Sequence, residues 1–509
     1  MKKIMSITLA LLFVLFAMAA CDSAANDTQT DNPIAGGGDD TPAHESGGGT
    51  AEEVKILPDL PEDAKYDGYV FTVLAHREGS DDWYAPDPRE IILSEEQDPD
   101  EPINDAVFRR NAVLTEKYNI EFDMVTNAEE HSLLRRTVNS GDDTYDAVII
   151  FNNNVSAVIG HGSLINTGEL PYIDLNKPWW DPAINAMSIA NKNFLLAGDL
   201  LILDNEATNA LVFNKDLIQG LGLGLPYDMV KEGKWTMDEM ERMIKGAAMD
   251  LDGGGMKPET SRWGFVGYND TLHALLVGGG GLLMEKDSDD LPIVTFIEQK
   301  NIAIIEKAMD IMYNKDEVLN IQSDIADGGT NSANWLRAYH NAFDENRALF
   351  MWVRMRVVEK FRGMESEFGI IPLPKFDEAQ ENYCSVVNAY TGVLLGVPRT
   401  AGDLERTSVI LEAMAAESKY TLQPAYYDVV LQRKFARDEE SSEMLDIIFG
   451  NRVYDIAGIY FQDTWLEFIR LCEGNGRQGD RNIMSYYDRR QNTIQREIDK
   501  TIARFEDMD

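Results

Sequence analysis

An almost uninterrupted apolar run, Tyr145-Asp146-Ala147-Val148-Ile149-Ile150-Phe151, stands directly before three consecutive asparagines. A strand that is apolar on both faces lies inside a sheet that helices cover on both sides. Upstream, Tyr69 to Ala75 predicts a β-rich strand and Ile120 to Val125 alternates as another. Helical spacing over about 104–118 and 129–139 separates these strands. The alternation of strands and helices indicates an α/β fold.

A second series of elements follows in the later part of the chain. Thr236 and Glu239 stand at the N-cap and capping-box positions of a predicted helix. Another helix is expected from Asp270 to Val277, with a glycine turn after it, and long helices fill most of the chain from Asp403 onward. Further strands are predicted over 193–203, 210–217, 263–266, 292–297 and 348–353, with a short extended run over 368–374.

The N-terminus has the parts of a secretory signal. Lys2 and Lys3 precede an apolar run over 4–17, and small residues lead to Cys21. This run is too short for a transmembrane helix. The cysteine after small residues resembles a bacterial lipobox, which implies a signal peptide over 1–20, cleavage before Cys21 and lipidation of its thiol. The alternative is an ordinary signal peptide followed by an incidental cysteine.

The next segment predicts a flexible tether over 21–62. It contains two runs of three glycines and almost no large apolar side chain before Val54, so burial cannot offset its ordering entropy. About 450 residues remain, which suits two large domains. The net charge of -41 disfavours nucleic acid as a partner and favours solubility.

Few residues point to cofactors, metals or covalent catalysis. The six histidines are scattered, and the sequence has no His-x-x-x-His, Cys-x-x-Cys or Gly-x-Ser-x-Gly motif. We therefore expect no metal and no cofactor. Cys384 and Cys472 could form one disulfide, but two free thiols are the preferred interpretation. With 87 acidic residues, a carboxylate pair of the glycoside hydrolase type stays open.

Several stretches together resemble family 1 extracellular solute-binding proteins of ABC importers, the group that includes maltose-binding protein. The resemblance is carried by residues 211–217 with 235–240, 262–265, 346–352 with 368–375, and 388–393. The runs 102–107 and 424–431 are similar to those of the larger lipoprotein members from Gram-positive anaerobes. The order and spacing of these stretches extend over nearly all of the folded body.

The resemblance implies a two-lobe, type II periplasmic-binding-protein-like α/β fold with a helix-rich C-terminus. Lobe 1 would comprise 63–205 and about 373–420, and lobe 2 would comprise 206–366 and about 421–509. The implied function is a monomeric, lipid-anchored receptor on the extracellular face of a Gram-positive-type cell membrane. It would bind a small solute, such as an oligosaccharide, between the lobes and deliver it to the permease subunits of an ABC importer.

Sugar pockets combine aromatic rings, which pack on the faces of the sugar, with planar polar side chains, which bond its hydroxyls. Loops at strand ends supply both kinds of side chain. Carrying the family positions across gives ligand-binding candidates at His76, Arg77, Trp83, Asn152, Asn153, Asn154, Asp199, Glu206, Tyr268, Asn269, Trp352, Arg354, Asn388, Tyr390 and Trp465. Several of these candidates could instead have a purely structural role. The asparagine triplet suits helix capping, Asp199 and Glu206 suit a solvated hinge loop, and Trp352 and Trp465 suit a core. The adjacent pair Trp179-Trp180 predicts one ring that faces the cleft.

Two other functions compete with the receptor. A surface-anchored glycoside hydrolase would share the anchor and the aromatic residues, and a turnover assay on glycans distinguishes it. An all-helical, glycan-binding lipoprotein of the outer membrane is the second alternative, and it would lack strands in a circular dichroism spectrum.

Overall fold

Two mixed sheets carry the fold, and helices cover them. The computed structural model describes residues 55–76, 88–92, 101–324, 332–432, 439–473 and 481–508. The predicted signal peptide, Cys21 and the tether before residue 55 lie outside the described residues, as do Arg77 and Trp83. Within the described part of the chain, no helix combines the length and the apolar character that crossing a bilayer requires.

The strands are short and mostly buried. They are β1 (Tyr69–His76), β2 (Ile120–Asn127), β3 (Ala147–Phe151), β4 (Asn209–Asn214), β5 (Trp263–Gly267), β6 (Met284–Lys286), β7 (Pro292–Val294), β8 (Val318–Asn320), β9 (Ala348–Arg354), β10 (Phe368–Ile371), β11 (Ser385–Val386), β12 (Val393–Gly396) and β13 (Arg452–Val453).

The helices of the described residues are α1 (Pro102–Tyr118), α2 (Glu130–Ser140), α3 (Asn152–Gly160), α4 (Leu203–Ala207), α5 (Lys215–Gly220), α6 (Tyr227–Lys231), α7 (Met237–Ile244), α8 (Asp270–Gly278), α9 (Gln299–Met312), α10 (Ile321–Asp324), α11 (Ser332–Asp344), α12 (Leu404–Tyr420), α13 (Leu422–Gln432), α14 (Glu439–Gly450), α15 (Ile456–Tyr460), α16 (Gln462–Glu473) and α17 (Ile483–Asp507). The longest of them are α17, with 25 residues, and α1 and α12, with 17 residues each. Short 3₁₀ segments span Thr167–Glu169, Pro182–Met187 and Met355–Gly363.

The first sheet has the strand order β12-β3-β1-β2. β1 runs parallel to β2 and β3, with Val73 opposite both Met124 and Ala147, whereas β12 is antiparallel to β3. All five residues of β3 are buried, because helices cover the sheet as the continuous apolar run predicted. The predicted α/β class is confirmed.

The second sheet has the order β10-β4-β9-β5-β8. Its strands β9, β5 and β8 run parallel, and β4 is antiparallel to β9 and β10. β9 is buried along its whole length, from Ala348 to Arg354. The parallel strands therefore end together, and the residues that follow them share one edge of the sheet.

Neighbouring chain segments connect the two sheets. The chain leaves the first sheet region through α4 and enters β4, and it returns from β10 to β12 by way of β11. These two segments run side by side, because Val387 forms a bridge with Thr208 and the Asn388 N–H donates to the Ala207 carbonyl at 3.0 Å.

The apolar core has two clusters. One lies on the first sheet and includes Phe71, Ile149 and buried residues of α12. The other extends through the second sheet to α3 and the C-terminal helices. There Phe505 of α17 packs edge-on against Phe194 at 5.4 Å between ring centroids. The C-terminal helices α15 and α17 thus pack against α3 of the first sheet region.

Most predicted elements are present, with two local differences. Residues 193–203 do not form a strand of either sheet, because only isolated bridges such as Leu196 with Leu395 occur there. The predicted strand from 210 ends at Asn214, whose side chain caps α5 by accepting the Leu217 N–H at 2.9 Å. The predicted cap at Thr236 is confirmed by its bond from the Glu239 N–H.

Both tryptophans of the Trp179-Trp180 pair are buried, so the prediction that one ring faces the cleft is wrong. The pair lies on an irregular segment, where neighbouring side chains need not point in opposite directions. Glu412 of α12 accepts the Trp179 Nε1–H at 3.0 Å and the Trp180 Nε1–H at 2.7 Å. Burial raises the pKa of Glu412 to about 7. Cys384 and Cys472, the cysteines among the described residues, are free thiols.

Candidate ligand-binding site

The carboxyl ends of β3, β5 and β9 place polar and aromatic side chains close together. β3 is followed by Asn152, β5 by Tyr268, and β9 ends in Arg354. In an α/β sheet, the residues after these ends form the usual ligand crevice. We use the name central cluster for Asn152, Tyr268, Asp270, Trp352, Arg354, Asn388, Tyr390 and Trp465.

Asn388 connects the first sheet to the second. Its Oδ1 accepts the Tyr390 N–H at 3.0 Å and the Thr391 N–H at 3.1 Å, which fixes the turn before β12. Its backbone carbonyl accepts the Asn152 Nδ2–H at 3.4 Å, and its side chain is hydrogen-bonded to Asp270 of α8. The side chain and the carbonyl of Asn388 thus hold groups from α3 and α8 together.

Asp270 and Arg354 form the charged part of the central cluster. Burial raises the pKa of Asp270, and the Arg354 guanidinium and the bond to Asn388 oppose this rise. Arg354 itself is only 4% exposed. A buried charge is costly without a partner, so the positive charge of Arg354 offsets part of the cost of burying the Asp270 carboxylate.

The aromatic rings beside these charges lie edge to face. Tyr268 and Trp352 have centroids 4.6 Å apart with planes at 85°, and Tyr339 packs on Tyr268 at 5.3 Å. The Tyr339 hydroxyl donates to the Trp352 carbonyl. Trp352 is 1% exposed. These contacts fix the ring of Trp352, which lies two positions before Arg354 on β9.

A second aromatic pair packs around a buried histidine. Tyr390 and Trp465 lie edge to face at 5.0 Å. The Trp465 Nε1–H donates to His273 Nδ1 at 3.3 Å, so the proton of the neutral ring is on Nε2, which faces Asp455 at 3.0 Å. Asp455 also caps α15 through the Ala457 N–H. Trp465 is therefore held at both its ring face and its Nε1 group.

Several polar atoms in this region are buried without a hydrogen-bond partner among the described residues. They include Asn152 Oδ1, Asn209 Oδ1 and Trp352 Nε1. Asn209 lies opposite Arg354 in the β4–β9 register. An unsatisfied buried group costs about 1–3 kcal/mol, so each such atom needs an explanation. A ligand that supplies hydroxyl groups would satisfy acceptors and donors of this kind.

His76 and Asn154 lie in a separate group around Glu130. His76 Nδ1 is 2.7 Å from Glu130 Oε2, and Asn154 Nδ2 donates to Glu130 Oε1 at 2.8 Å. These bonds lower the pKa of Glu130 against the opposing effect of its burial. The His76 ring also packs on Phe151 at 4.2 Å. Both predicted ligand residues thus have protein partners beside the N-terminus of α3.

Asp199 and Glu206 have charged partners near α4. Glu206 pairs with Arg89, and Arg356 lies 3.9 Å from its other oxygen. Asp199 lies 3.9 Å from Lys419, and burial raises its pKa to about 7. Neither carboxylate contacts the central cluster through an observed bond.

The two remaining candidates differ in their surroundings. Asn269 donates to Glu473 at 2.6 Å and accepts from Asn320 at 3.2 Å, so it is bonded to the end of α16 and to the end of β8. Asn153 Oδ1 is buried with no hydrogen-bond partner in the described structure.

The sequence reasoning missed Asp270, His273 and Asn209. Asp270 and His273 are one helical turn apart on α8, directly after the predicted pair Tyr268 and Asn269, so an i, i+3 pattern at a strand end could have identified them. Asn209 gives no comparable signal, because its role depends on pairing with β9. The described residues contain no group of three His, Cys, Asp or Glu side chains suited to a metal ion.

Comparison with known proteins gives similarity in structure but not in sequence. No protein-family profile matches the chain, and no curated protein sequence is significantly similar to it. An ABC substrate-binding protein from Listeria monocytogenes, solved with cycloalternan, aligns with a TM-score of 0.52 at 12% identity, covering 84% of this chain and 99% of that one. M. tuberculosis UspC aligns with a TM-score of 0.53 at 17% identity, covering 84% and 100%.

An ABC transporter solute-binding protein from Thermotoga lettingae, solved with alpha-D-tagatose, aligns with a TM-score of 0.51 at 12% identity over 85% of this chain and 100% of that one. At identities this low, the structural similarity establishes the fold and leaves the ligand open. The chain has the two-lobe α/β fold of the solute-binding proteins of ABC importers.

Proposed function

We propose that this protein is a solute receptor that binds a polyhydroxylated ligand, such as an oligosaccharide, in the central cluster and releases it unchanged. The observation that carries the proposal is the position of Asn152, Trp352 and Arg354 at converging strand ends of two sheets. Aromatic rings beside fixed polar groups suit the faces and hydroxyls of a sugar. The sugars bound by proteins of the same fold support this ligand class.

The buried atoms without partners support the same ligand class. Trp352 Nε1 offers a donor, and Asn152 Oδ1 and Asn209 Oδ1 offer acceptors. A sugar hydroxyl both donates and accepts, so a single type of ligand group can satisfy all three atoms. Water could satisfy them too, but it would not use the neighbouring rings.

Access requires the central cluster to open, because Asn152, Trp352 and Trp465 are almost fully buried. We propose that lobe 1 (63–205 and about 373–420) and lobe 2 (206–366 and about 421–509) separate about the adjacent segments near Ala207 and Asn388. The ligand then favours closure by the difference between its affinities for the closed and open states.

We further propose that the receptor is a monomer anchored to the outer face of the cell membrane. The basic and apolar N-terminal sequence and the small residues before Cys21 support export and lipidation. Two acyl chains anchor a protein stably, and the polar tether after Cys21 would let the receptor reach the permease of an ABC importer.

The test is a thermal-shift screen of the mature protein with mono- and oligosaccharides, followed by calorimetric titration. A ligand at 100 times its Kd should stabilise the protein by about 2.7 kcal/mol. Substituting Tyr390→Ala removes a partly exposed ring of the central cluster and should weaken binding about tenfold, or about 1.4 kcal/mol. The matched control is Tyr172→Ala, which removes a tyrosine that packs with the other apolar cluster.

Equal loss of affinity in both tyrosine variants would contradict the location of the site. The recovered sugar is then analysed by mass spectrometry after prolonged incubation with the wild-type protein. A receptor returns it intact, whereas sustained release of shorter products at enzyme-like rates would contradict the receptor function and favour a glycoside hydrolase.

A further inference from the structure

A groove separate from the central cluster lies where α3, α15, α16 and α17 meet. Its volume is about 440 Å³, and α17 supplies more than half of the lining residues. Ile159 and Gly160 of α3 and Tyr460 of α15 complete the wall. The groove and the central cluster share no residue, so a ligand of one does not need the other.

Basic side chains of α17 form a stripe along this groove. Arg496, Lys500 and Arg504 recur every four residues, so they lie on one face of the helix, about 6 Å apart along its axis. The Arg496 side chain donates to the neighbouring Asn492 carbonyl and Thr493 hydroxyl. Lys500 and Arg504 have no ion-pair or hydrogen-bond partner for their side chains within the described ranges. Two of the three cations are therefore available to a ligand.

The carboxylates of the groove only partly balance this charge. Glu497 accepts the Asp463 N–H at 3.2 Å, the Thr464 N–H at 3.1 Å and the Thr464 hydroxyl at 2.6 Å. It thus caps the first turn of α16 and is not directed to a cation. Asp463 lines the groove as the second carboxylate. Three cations therefore face one uncommitted carboxylate.

The positive region continues past the end of the groove. Burial lowers the pKa of His161, and the positive charges of Arg135 and Arg504 lower it further. Arg135 Nη1 lies 3.2 Å from His161 Nε2. Like charges repel, so a protein with 87 acidic residues would be expected to disperse its 46 basic residues among carboxylates. Their concentration here needs a different explanation.

We propose that this groove is a second ligand site, which binds a small phosphate-bearing anion. Arginine forks match phosphate oxygens in a bidentate manner, and lysine adds a point charge. A stripe of cations spaced about 6 Å apart suits two linked anionic groups better than a single ion. The phosphate is supplied either by a free phosphorylated solute or by the headgroup of an anionic phospholipid.

The experiment uses inorganic pyrophosphate and the mature protein, with calorimetric titration at constant ionic strength. The variant Lys500→Ala with Arg504→Ala should bind pyrophosphate at least tenfold more weakly than the wild type, because two charge-assisted contacts are lost. The control is Lys315→Ala with Arg489→Ala, which removes the same charge from exposed positions outside the groove. It should bind like the wild type.

A second arm identifies the source of the phosphate. Sedimentation with vesicles of equal parts phosphatidylcholine and phosphatidylserine, compared with phosphatidylcholine alone, detects headgroup binding when the protein carries Cys21→Ala and so lacks the proposed lipid anchor. Vesicle binding that the Lys500 and Arg504 substitutions abolish assigns the site to a lipid headgroup, and pyrophosphate binding without vesicle binding assigns it to a free solute. Binding of neither probe, or equal binding by both double variants, overturns the proposal. Sugar binding reports on the central cluster separately and should be unchanged in both variants.

Discussion

Replacing Glu412 by glutamine should change how the stability of the protein depends on pH. Glu412 is 1% exposed and accepts hydrogen bonds from Trp179 and Trp180. Burial raises its pKa from 4.5 to about 7, so the folded protein binds a proton that the unfolded chain releases between these values. The contribution of Glu412 to the free energy of unfolding therefore falls as the pH rises from about 4.5 to about 7 and is constant above that.

The magnitude follows from the pKa difference. At about 1.4 kcal/mol per pH unit, a rise from 4.5 to about 7 corresponds to about 3 kcal/mol. The Glu412→Gln variant cannot titrate at this position. Its amide offers one acceptor oxygen, whereas the two carboxyl oxygens of Glu412 each accept an indole N–H. The variant should therefore be less stable than the wild type near pH 4.5, because one indole N–H loses its acceptor, and the two proteins should also differ in their pH slope.

The assay is urea unfolding monitored by tryptophan fluorescence at a series of pH values. Every other titrating group is common to both proteins, so the stability of the wild type minus that of Glu412→Gln isolates Glu412. This difference should fall by about 3 kcal/mol between pH 4.5 and pH 8. A difference that is constant with pH, or that rises, would refute the assignment of a raised pKa to the carboxyl between the two indoles.

Two further substitutions test the packing of the described fold. Gly198→Ala should lower the free energy of unfolding by about 3 kcal/mol in urea titrations, because an added Cβ would lie 2.2 Å from the Trp179 carbonyl oxygen. Gly160→Ala, which meets nothing within 4 Å, is its control, and an equal effect of both would contradict the prediction. Thr236→Ala should cost about 1 kcal/mol through loss of the α7 cap, whereas Thr236→Ser should restore most of the stability. A serine variant as unstable as the alanine variant would contradict the capping role.

Local sequence patterns predicted the strands that are buried on both faces. The runs around Val73 and Ile149 are apolar because each strand lies inside a sheet, and that property is readable from consecutive residues. Residues 193–203 are equally buried at many positions but lack a regular ladder. Their buried apolar side chains made them resemble a strand. The sequence could not show how they pair, because Leu196 forms its isolated bridge with Leu395, about 200 residues away.

The candidate site, too, could be predicted where it depends on local sequence and not where it depends on distant segments. Asn152 and Arg354 follow or end apolar strands, so their place at the sheet edge could be inferred from the chain itself. The sequence could not show that His76 is bonded to Glu130 or that Glu206 is paired with Arg89, because these partners come from other elements. Residue type and strand position thus predict which side chains lie at the edge of a sheet. Partners from distant segments decide which of these side chains have hydrogen-bonding groups left for a ligand.

The edge strand β12 restricts the order in which the protein can fold during synthesis. It completes the first sheet by pairing with β3, yet Val393 lies more than two hundred positions after its partner Phe151. The first sheet therefore stays incomplete until the whole second sheet has been synthesised. Pairing of such distant segments makes folding slow. Under the export proposed above, a chain delayed in this way would still be unfolded when it reached a secretion channel that accepts only unfolded polypeptide.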